Sequence, residues 1–420
     1  MMVSLTFLGG THEVGRSAIL LESSQTKVLL DYGVMLNDEP GFPAHVRASE
    51  LDGIIVTHAH LDHSGAVPLF YLTERIPVFA TPITFDLVEV LIEDFIKLSS
   101  YFLPYEFLEL QNMMRNRVEL RYGEKARIGD IRFKLINAGH IPGSSLVVLE
   151  ADGQRILYTG DLNTRDTHLV RGARVPGEEF DAVIIESTYA DEDHPERSEV
   201  EKEFTGRVRG VVSNGGVALI PAFAVGRSQE VLMILRSNGY KGSVVMDGMA
   251  RKVNEIMLNN PQFLRRAKSF GKFIDSAKIV RGWRDRRRAP RRPGAIIAPS
   301  GMLEGGTAIY YMEQVALDEK NAVFLVSYQI PGTGGDKLLE TGRFVIRGRD
   351  QEVKAQVARY DFSSHAGKTE LREFLRGLKG EPKVYVLHGA EGNCKLLADW
   401  VAEELGLEAV APDSGDTFKV

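Results

Sequence analysis

One strand and the turn that follows it narrow what this chain can fold into. In DGIIVTHAHLDHSGAVP an apolar run ends in His58, His60, Asp62 and His63, so four potential metal ligands fall within six residues. Imidazole and carboxylate donors suit zinc first, and manganese or iron less often, and one short loop converges four of them by wrapping an ion. The same arrangement recurs along the chain. His140 follows FKLINAG, Asp161 follows ILYTG, and His388 ends VYVL. A fold that gathers the ends of several strands at one place is therefore required. His12, His45, His168 and His194 have no such neighbourhood and read as surface or structural residues.

The surrounding pattern is layered α/β. Short β-branched runs at Val28–Leu30, Ile54–Val56, Phe133–Ile136, Ile156–Tyr158 and Val183–Ile185 read as strands. Apolar residues at helical spacing mark Phe85–Leu98, a stripe from Leu371 to Leu378, and another from Leu396 to Leu405. From about 190 to 355 the texture changes to alternating strand, loop and helix, which predicts a second α/β domain inserted into the first. A length of 420 residues accommodates both. The single cysteine, Cys394, excludes a disulfide scaffold and a four-cysteine zinc site. No apolar stretch reaches the roughly 18 to 20 residues that span a bilayer. The opening MMVSLTFLGG has no basic leader region, so a cytoplasmic protein without membrane association is expected.

The metal motifs carry a family resemblance. LLDYG with Asp31, HAHLDH, AGHIPGS around His140 and YTGD around Asp161 resemble the successive motifs of the metallo-β-lactamase fold. IIESTY with Glu186, DFSSHA with His365 and VLHGA with His388 resemble motifs A, B and C of the β-CASP nucleases. PAFAVGRSQEVL, MDGMA, APSGMLEGG and SYQIPGTGGDKLLETG are similar to the β-CASP insert. The resemblance runs from Leu5 to about Leu397. It implies a metallo-β-lactamase αββα sandwich in two parts, 1–190 and 356–420, interrupted by a β-CASP domain at 191–355.

The resemblance also implies a two-zinc hydrolase, with manganese a less favoured occupant. His58, His60 and His140 would hold one ion, Asp62, His63 and His388 the other, and Asp161 would join them. Asp31 would accept a hydrogen bond from a ligand imidazole and fix its tautomer. Asp62 and Asp31 thus join Glu186 and His365 among the residues of the catalytic centre. A hydroxide between two metals would attack the phosphodiester, and His365, tuned by Glu186, would protonate the leaving oxygen. Histidine at motif C distinguishes family members acting on RNA from DNA-repair members, which makes a zinc-dependent ribonuclease of RNA 3′-end processing or decay the leading expectation. A DNA-directed nuclease and an inactive scaffold are the alternatives; inactive members lack metal ligands, and all seven are filled here. The chain begins at the first strand, so the N-terminal RNA-binding modules of some archaeal relatives are not expected. Such relatives often form homodimers or join RNA-processing complexes.

Charge gives a separate argument. The formal net charge is −6, which disfavours nonspecific adhesion to polyanions by the molecule as a whole. Between Arg265 and Arg292, however, twelve Lys or Arg face only Asp275 and Asp285. Arginine forks match phosphate oxygens, so Arg286, Arg287 and Arg288 are candidate RNA contacts, with Trp283 and Phe273 as stacking surfaces. Arg227 and Ser228, opening the helix after PAFAVG, suit an anion at a helix N-terminus, and Ser364, beside His365, is a further candidate substrate contact.

Overall fold

The computed structural model describes residues 3–36, 39–99, 101–330 and 332–420; Pro331 of the IPGTGG motif lies outside them. The anticipated strands form, as Lys27–Leu30, Gly53–Ile55, Ile131–Asn137, Gln154–Tyr158 and Ala182–Glu186. They belong to two seven-stranded sheets. The first runs Thr417–Lys419, Ser4–Gly9, Ala18–Glu22, Lys27–Leu30, Gly53–Ile55, Val78–Ala80, Arg117–Glu119. The second runs Ala409–Val410, Lys383–Leu387, Ala182–Glu186, Gln154–Tyr158, Ser145–Ala151, Ile131–Asn137, Lys125–Ile128.

Strand alternation builds the layers. Val147, Leu149, Ile184 and Tyr385 of the second sheet share one core with Phe7, Ile19, Leu21 and Val28 of the first. Their neighbours Leu146, Val148, Val183, Ile185, Val384 and Val386 face the other way and pack with Leu371, Phe374, Leu397 and Trp400. Those last four lie on helices Lys368–Arg376 and Glu391–Trp400, where the helical stripes were read. Each fully buried Leu, Ile, Val or Phe is worth about 1.5–3 kcal/mol relative to exposure, so a one-residue register slip in either central strand would exchange one core for the other. Helix Pro82–Ser99 covers Phe85–Leu98 and lies beside the first sheet's edge strand Arg117–Glu119.

The chain divides into two compact units, 1–166 with 171–193 and 364–420, and 167–170 with 194–363. The second unit has one wholly parallel sheet, ordered Lys278–Ile279, Val244–Met246, Gly294–Ala298, Val217–Pro221, Ala322–Leu325, Gln356–Arg359. VALIP and GAIIA are buried at every position, as strands covered on both faces must be. The insert therefore ends later than the expected 355, because Gln356–Arg359 pairs with Ala322–Leu325 as that sheet's edge strand. It also takes residues 167–170 from the expected first part. The buried Glu230 accepts the backbone N–H groups of His168 and Leu169 at 3.0 and 2.9 Å, and His168 pairs with Glu201 at 2.9 Å.

One close approach positions the turn that carries Asp62 and His63. Asp62 and His63 lie on a single helical turn, Leu61–Ser64. Tyr32 N–H donates to the His63 carbonyl and Val34 N–H to the Leu61 carbonyl, both at 2.9 Å, so segment 31–34 lies flat against that turn. Between them sits Gly33, where an added Cβ would come within 1.7 Å of the Asp62 carbonyl oxygen. Gly33→Ala should destabilise the protein by about 1–3 kcal/mol through overpacking, read as a lowered denaturant midpoint; an unchanged midpoint would show that the turn can move aside.

Candidate metal centre

The C-terminal ends of five strands deliver the seven donors and Asp31, Ile131–Asn137 leading to His140. Lys27–Leu30 ends at Asp31, Gly53–Ile55 leads to His58, Gln154–Tyr158 to Asp161, and Lys383–Leu387 to His388. Asp31 and His388 hold left-handed backbone at φ 56° and 52°. Non-glycine residues adopt that region only where the surroundings enforce it, often at functional sites. For His388 the enforcement includes its N–H donating to the Gly10 carbonyl at 2.7 Å.

Two groups of donors result, each with its ligand atoms within 4.8 Å of one another. His58, His60, His140 and Asp161 form one; Asp62, His63, Asp161 and His388 form the other. Asp161 belongs to both. Its Oδ2 lies 3.3 Å from His58 Nε2 and 3.5 Å from His140 Nε2, and its Oδ1 lies 3.1 Å from His63 Nε2 and 3.3 Å from His388 Nδ1. Nitrogens face one another at 3.0 Å between His60 and His140, and at 3.3 Å between His63 and His388. His58 Nε2 and Asp161 Oδ1 are buried without a hydrogen-bond partner. Buried polar atoms are nearly always paired, and a convergence of bare imidazole nitrogens on a carboxylate fits divalent cations.

Neighbouring groups fix the tautomers. His63 Nδ1 donates to Asp31 Oδ2 at 2.8 Å, which leaves Nε2 to face Asp161. Asp31 is itself saturated, accepting Thr57 N–H and Thr57 Oγ1 at 2.7 Å and the Tyr158 hydroxyl at 2.8 Å. His140 Nδ1 donates to the Ser364 carbonyl at 2.9 Å, so its Nε2 also faces the centre. Burial, then the neighbouring His58, pushes the His60 pKa down to about 3, and burial holds His140 well below the usual range, so both stay neutral and able to ligate. Burial lowers His63 too, but the Asp161 and Asp31 carboxylates outweigh it and raise the imidazole well above its ordinary value. A proton and a cation therefore compete for His63, and metal affinity falls on acidification.

A third group, Asp161, Glu186 and His365, adjoins these. His365 Nδ1 donates to the buried Glu186 carboxylate at 3.0 Å, while its Nε2 lies 3.9 Å from Asp161 Oδ2. Burial opposes charging His365, but Glu186 and then Asp161 outweigh it, and the pKa rises to about 9. Glu186 is held by Leu162 N–H and by the Thr188 hydroxyl.

The structure thus gathers all seven expected ligands with Asp31, Glu186 and His365. Elsewhere it redirects the sequence reading. Ser364 supplies its carbonyl to His140. Ser228 is buried, and both its N–H and its hydroxyl donate to the Phe223 carbonyl, which removes it as an anion contact. Arg227 directs Nη1 to the Val326 carbonyl at 3.2 Å. Arg286 grips Asp247 through Nε and Nη2 at 2.7 and 2.9 Å, so its fork is committed within the protein, whereas Arg287 and Arg288 are exposed. Thr57, Tyr158 and Thr188 were not anticipated. Tyr158 alternates with Leu157 toward the inner core, and that period-two signal was available.

Three family models match successive stretches of the chain. They are the Metallo-beta-lactamase superfamily over 13–206, the Beta-Casp domain over 228–338, and the Zn-dependent metallo-hydrolase RNA specificity domain over 350–412. The chain belongs to the β-CASP branch of the metallo-β-lactamase superfamily and is a metal-dependent nuclease. Among its relatives, RNase aCSPSF2 of Saccharolobus solfataricus is 41% identical over 423 residues, covering 99% of this chain and 85% of that protein. Probable RNase MJ4 of Methanocaldococcus jannaschii is 35% identical across 100% of both chains. Transcription termination factor FttA of Pyrococcus horikoshii is 34% identical across 100% of this chain and 71% of its own length. A solved structure, a protein of unknown function from Enterococcus faecalis, shares the fold with a TM-score of 0.61 at 13% identity over 100% of both chains.

Replacing Asp31 by Asn keeps the shape but supplies an amide that cannot match all its donors, and it frees the His63 tautomer. Asp31→Asn should weaken metal binding about 10- to 100-fold, read by competition with a chromogenic chelator. Unaltered affinity would remove Asp31 from the centre's support.

Proposed function

We propose that this chain is a zinc-dependent ribonuclease that hydrolyses RNA phosphodiester bonds and acts in RNA 3′-end processing or decay. The observation that carries the reading is Asp161, common to both donor groups, with His365 directed at it from the Glu186 side. His58, His60 and His140 would hold one zinc ion, Asp62, His63 and His388 the second, and Asp161 both. When bound, such a pair lowers the pKa of water toward neutrality and stabilises charge on the attacking and leaving oxygens of an in-line displacement. The side chains do the rest. Asp31 and the Ser364 carbonyl hold His63 and His140 with Nε2 inward. Glu186 fixes His365 with its Nδ1 proton engaged, so the Nε2 proton is the one available to the departing 3′ oxygen. The product ends would be a 5′-phosphate and a 3′-hydroxyl.

RNA rather than DNA as substrate is supported by His388 within the second donor group and by relatives whose names describe ribonucleases. The match to an RNA specificity domain over 350–412 supports it further. The filled ligand set argues against an inactive scaffold. The exposed arginines of 265–292 offer phosphate contacts on this reading.

His365→Ala should lose about 10²- to 10⁴-fold in RNA cleavage while elemental analysis still finds two zinc per chain; loss of zinc would recast His365 as a ligand. His388→Ala should lose zinc together with cleavage, and undiminished cleavage would contradict its assignment. Because a raised His365 pKa preserves the acid form through neutrality, cleavage should decline as pH rises toward about 9. Glu186→Gln should move that alkaline limb to lower pH, and an unmoved limb would separate Glu186 from the proton transfer. RNA labelled at one end, offered with a 5′-monophosphate or a 5′-triphosphate, separates internal cleavage from 5′-to-3′ trimming.

A further inference from the structure

The basic segment is not uniform. Helix Trp283–Arg288 turns Trp283 and Arg286 toward the body of its own unit, where Trp283 lies 5.1 Å from the Tyr310 ring and Arg286 grips Asp247. Asp247 is 2% exposed, at the end of strand Val244–Met246, and accepts also from the buried Tyr311 hydroxyl at 2.7 Å. Arg286 additionally lies over Trp283, 5.8 Å from the ring centroid. At the start of the helix, Arg281 N–H donates to Asp285 at 3.2 Å. A six-residue helix has little stability of its own, so these contacts, with Ala289 packed on the unit's core just beyond it, help to hold it in place.

The remaining arginines have another orientation. At 100° per residue, Arg284, Arg287 and Arg288 share one arc of about 100°, and spacings of three and four residues put neighbouring Cβ atoms about 5–6 Å apart. All three are exposed, and none pairs with a carboxylate among the described residues. Three guanidinium forks at that spacing suit successive phosphates of a single strand, because each fork can take a phosphate in bidentate fashion.

We propose that Arg284, Arg287 and Arg288 form a phosphate-binding row for single-stranded RNA, and that the Asp247–Arg286–Tyr311 cluster is the latch that holds the row in place. The inference rests on the ribonuclease reading for its ligand. It assigns Arg284 to the interface and makes Arg286 a positioning residue that does not touch the substrate.

The test is binding of a fluorescent, non-cleavable 2′-O-methyl oligonucleotide to the full chain across a salt series. Each single-strand phosphate neutralised contributes about 0.7 to the slope of log K against log salt. Replacing Arg284, Arg287 and Arg288 together by Gln should make the slope shallower by about 2, in a variant whose melting temperature matches the wild type. Arg286→Gln and the milder Tyr311→Phe retain all three outward arginines, yet both should lose part of the slope. A wild-type slope in the triple variant would overturn the row, and a wild-type slope in both latch variants would overturn the latch. If the wild-type chain hydrolyses bis(p-nitrophenyl) phosphate but binds the oligonucleotide without salt dependence, the ribonuclease reading fails, and the row with it.

Discussion

Imidazole nitrogens only 3.0 and 3.3 Å apart, converging on one buried carboxylate, cannot all present lone pairs inward unless positive charge lies among them. Burial sharpens the requirement, because a low effective dielectric strengthens every such repulsion and attraction. Much of the first unit can be understood as what is needed to hold that arrangement. Two seven-stranded sheets share one core and present their strand ends on one side. Asp31 and His388 keep unfavourable backbone conformations, and the carboxylate of Asp31 is fully engaged so that one imidazole nitrogen is free.

The clustered donors were legible in the sequence because metal chemistry restricts residue type and because strand ends announce themselves in apolar runs. HAHLDH needs only local spacing to be noticed. His140, Asp161 and His388 need the further idea that strand ends converge, and the resemblance supplied their grouping. What escaped notice was of another kind. Thr188 holds Glu186 from two residues away, but Thr57 and Tyr158 are ordinary residues whose importance lies in the partner each reaches across the fold, from Tyr158 to Asp31 for example, 127 residues away. No local pattern encodes that distance.

The misread positions have a common cause. Ser228 at a helix start and Arg286 in a basic run carry the right chemistry for anions, but partners within the protein, the Phe223 carbonyl and the Asp247 carboxylate, take up that chemistry. The insert's boundary was misplaced for a related reason: QVAR is a short edge strand, half polar, and only its parallel partner Ala322–Leu325 identifies it as part of the second sheet system.

The second sheet of the first unit sets strand Ala182–Glu186 beside Lys383–Leu387, and His63 faces His388 across 325 residues of chain. During synthesis from the N-terminus, the first 190 residues emerge with six of the seven donors but with that strand's edge unpaired. The insert must pass before His365 and His388 are made. A growing or prematurely ended chain therefore lacks both the seventh donor and the residue aimed at Asp161. The second and third donor groups are therefore complete only once the chain has been made as far as His388.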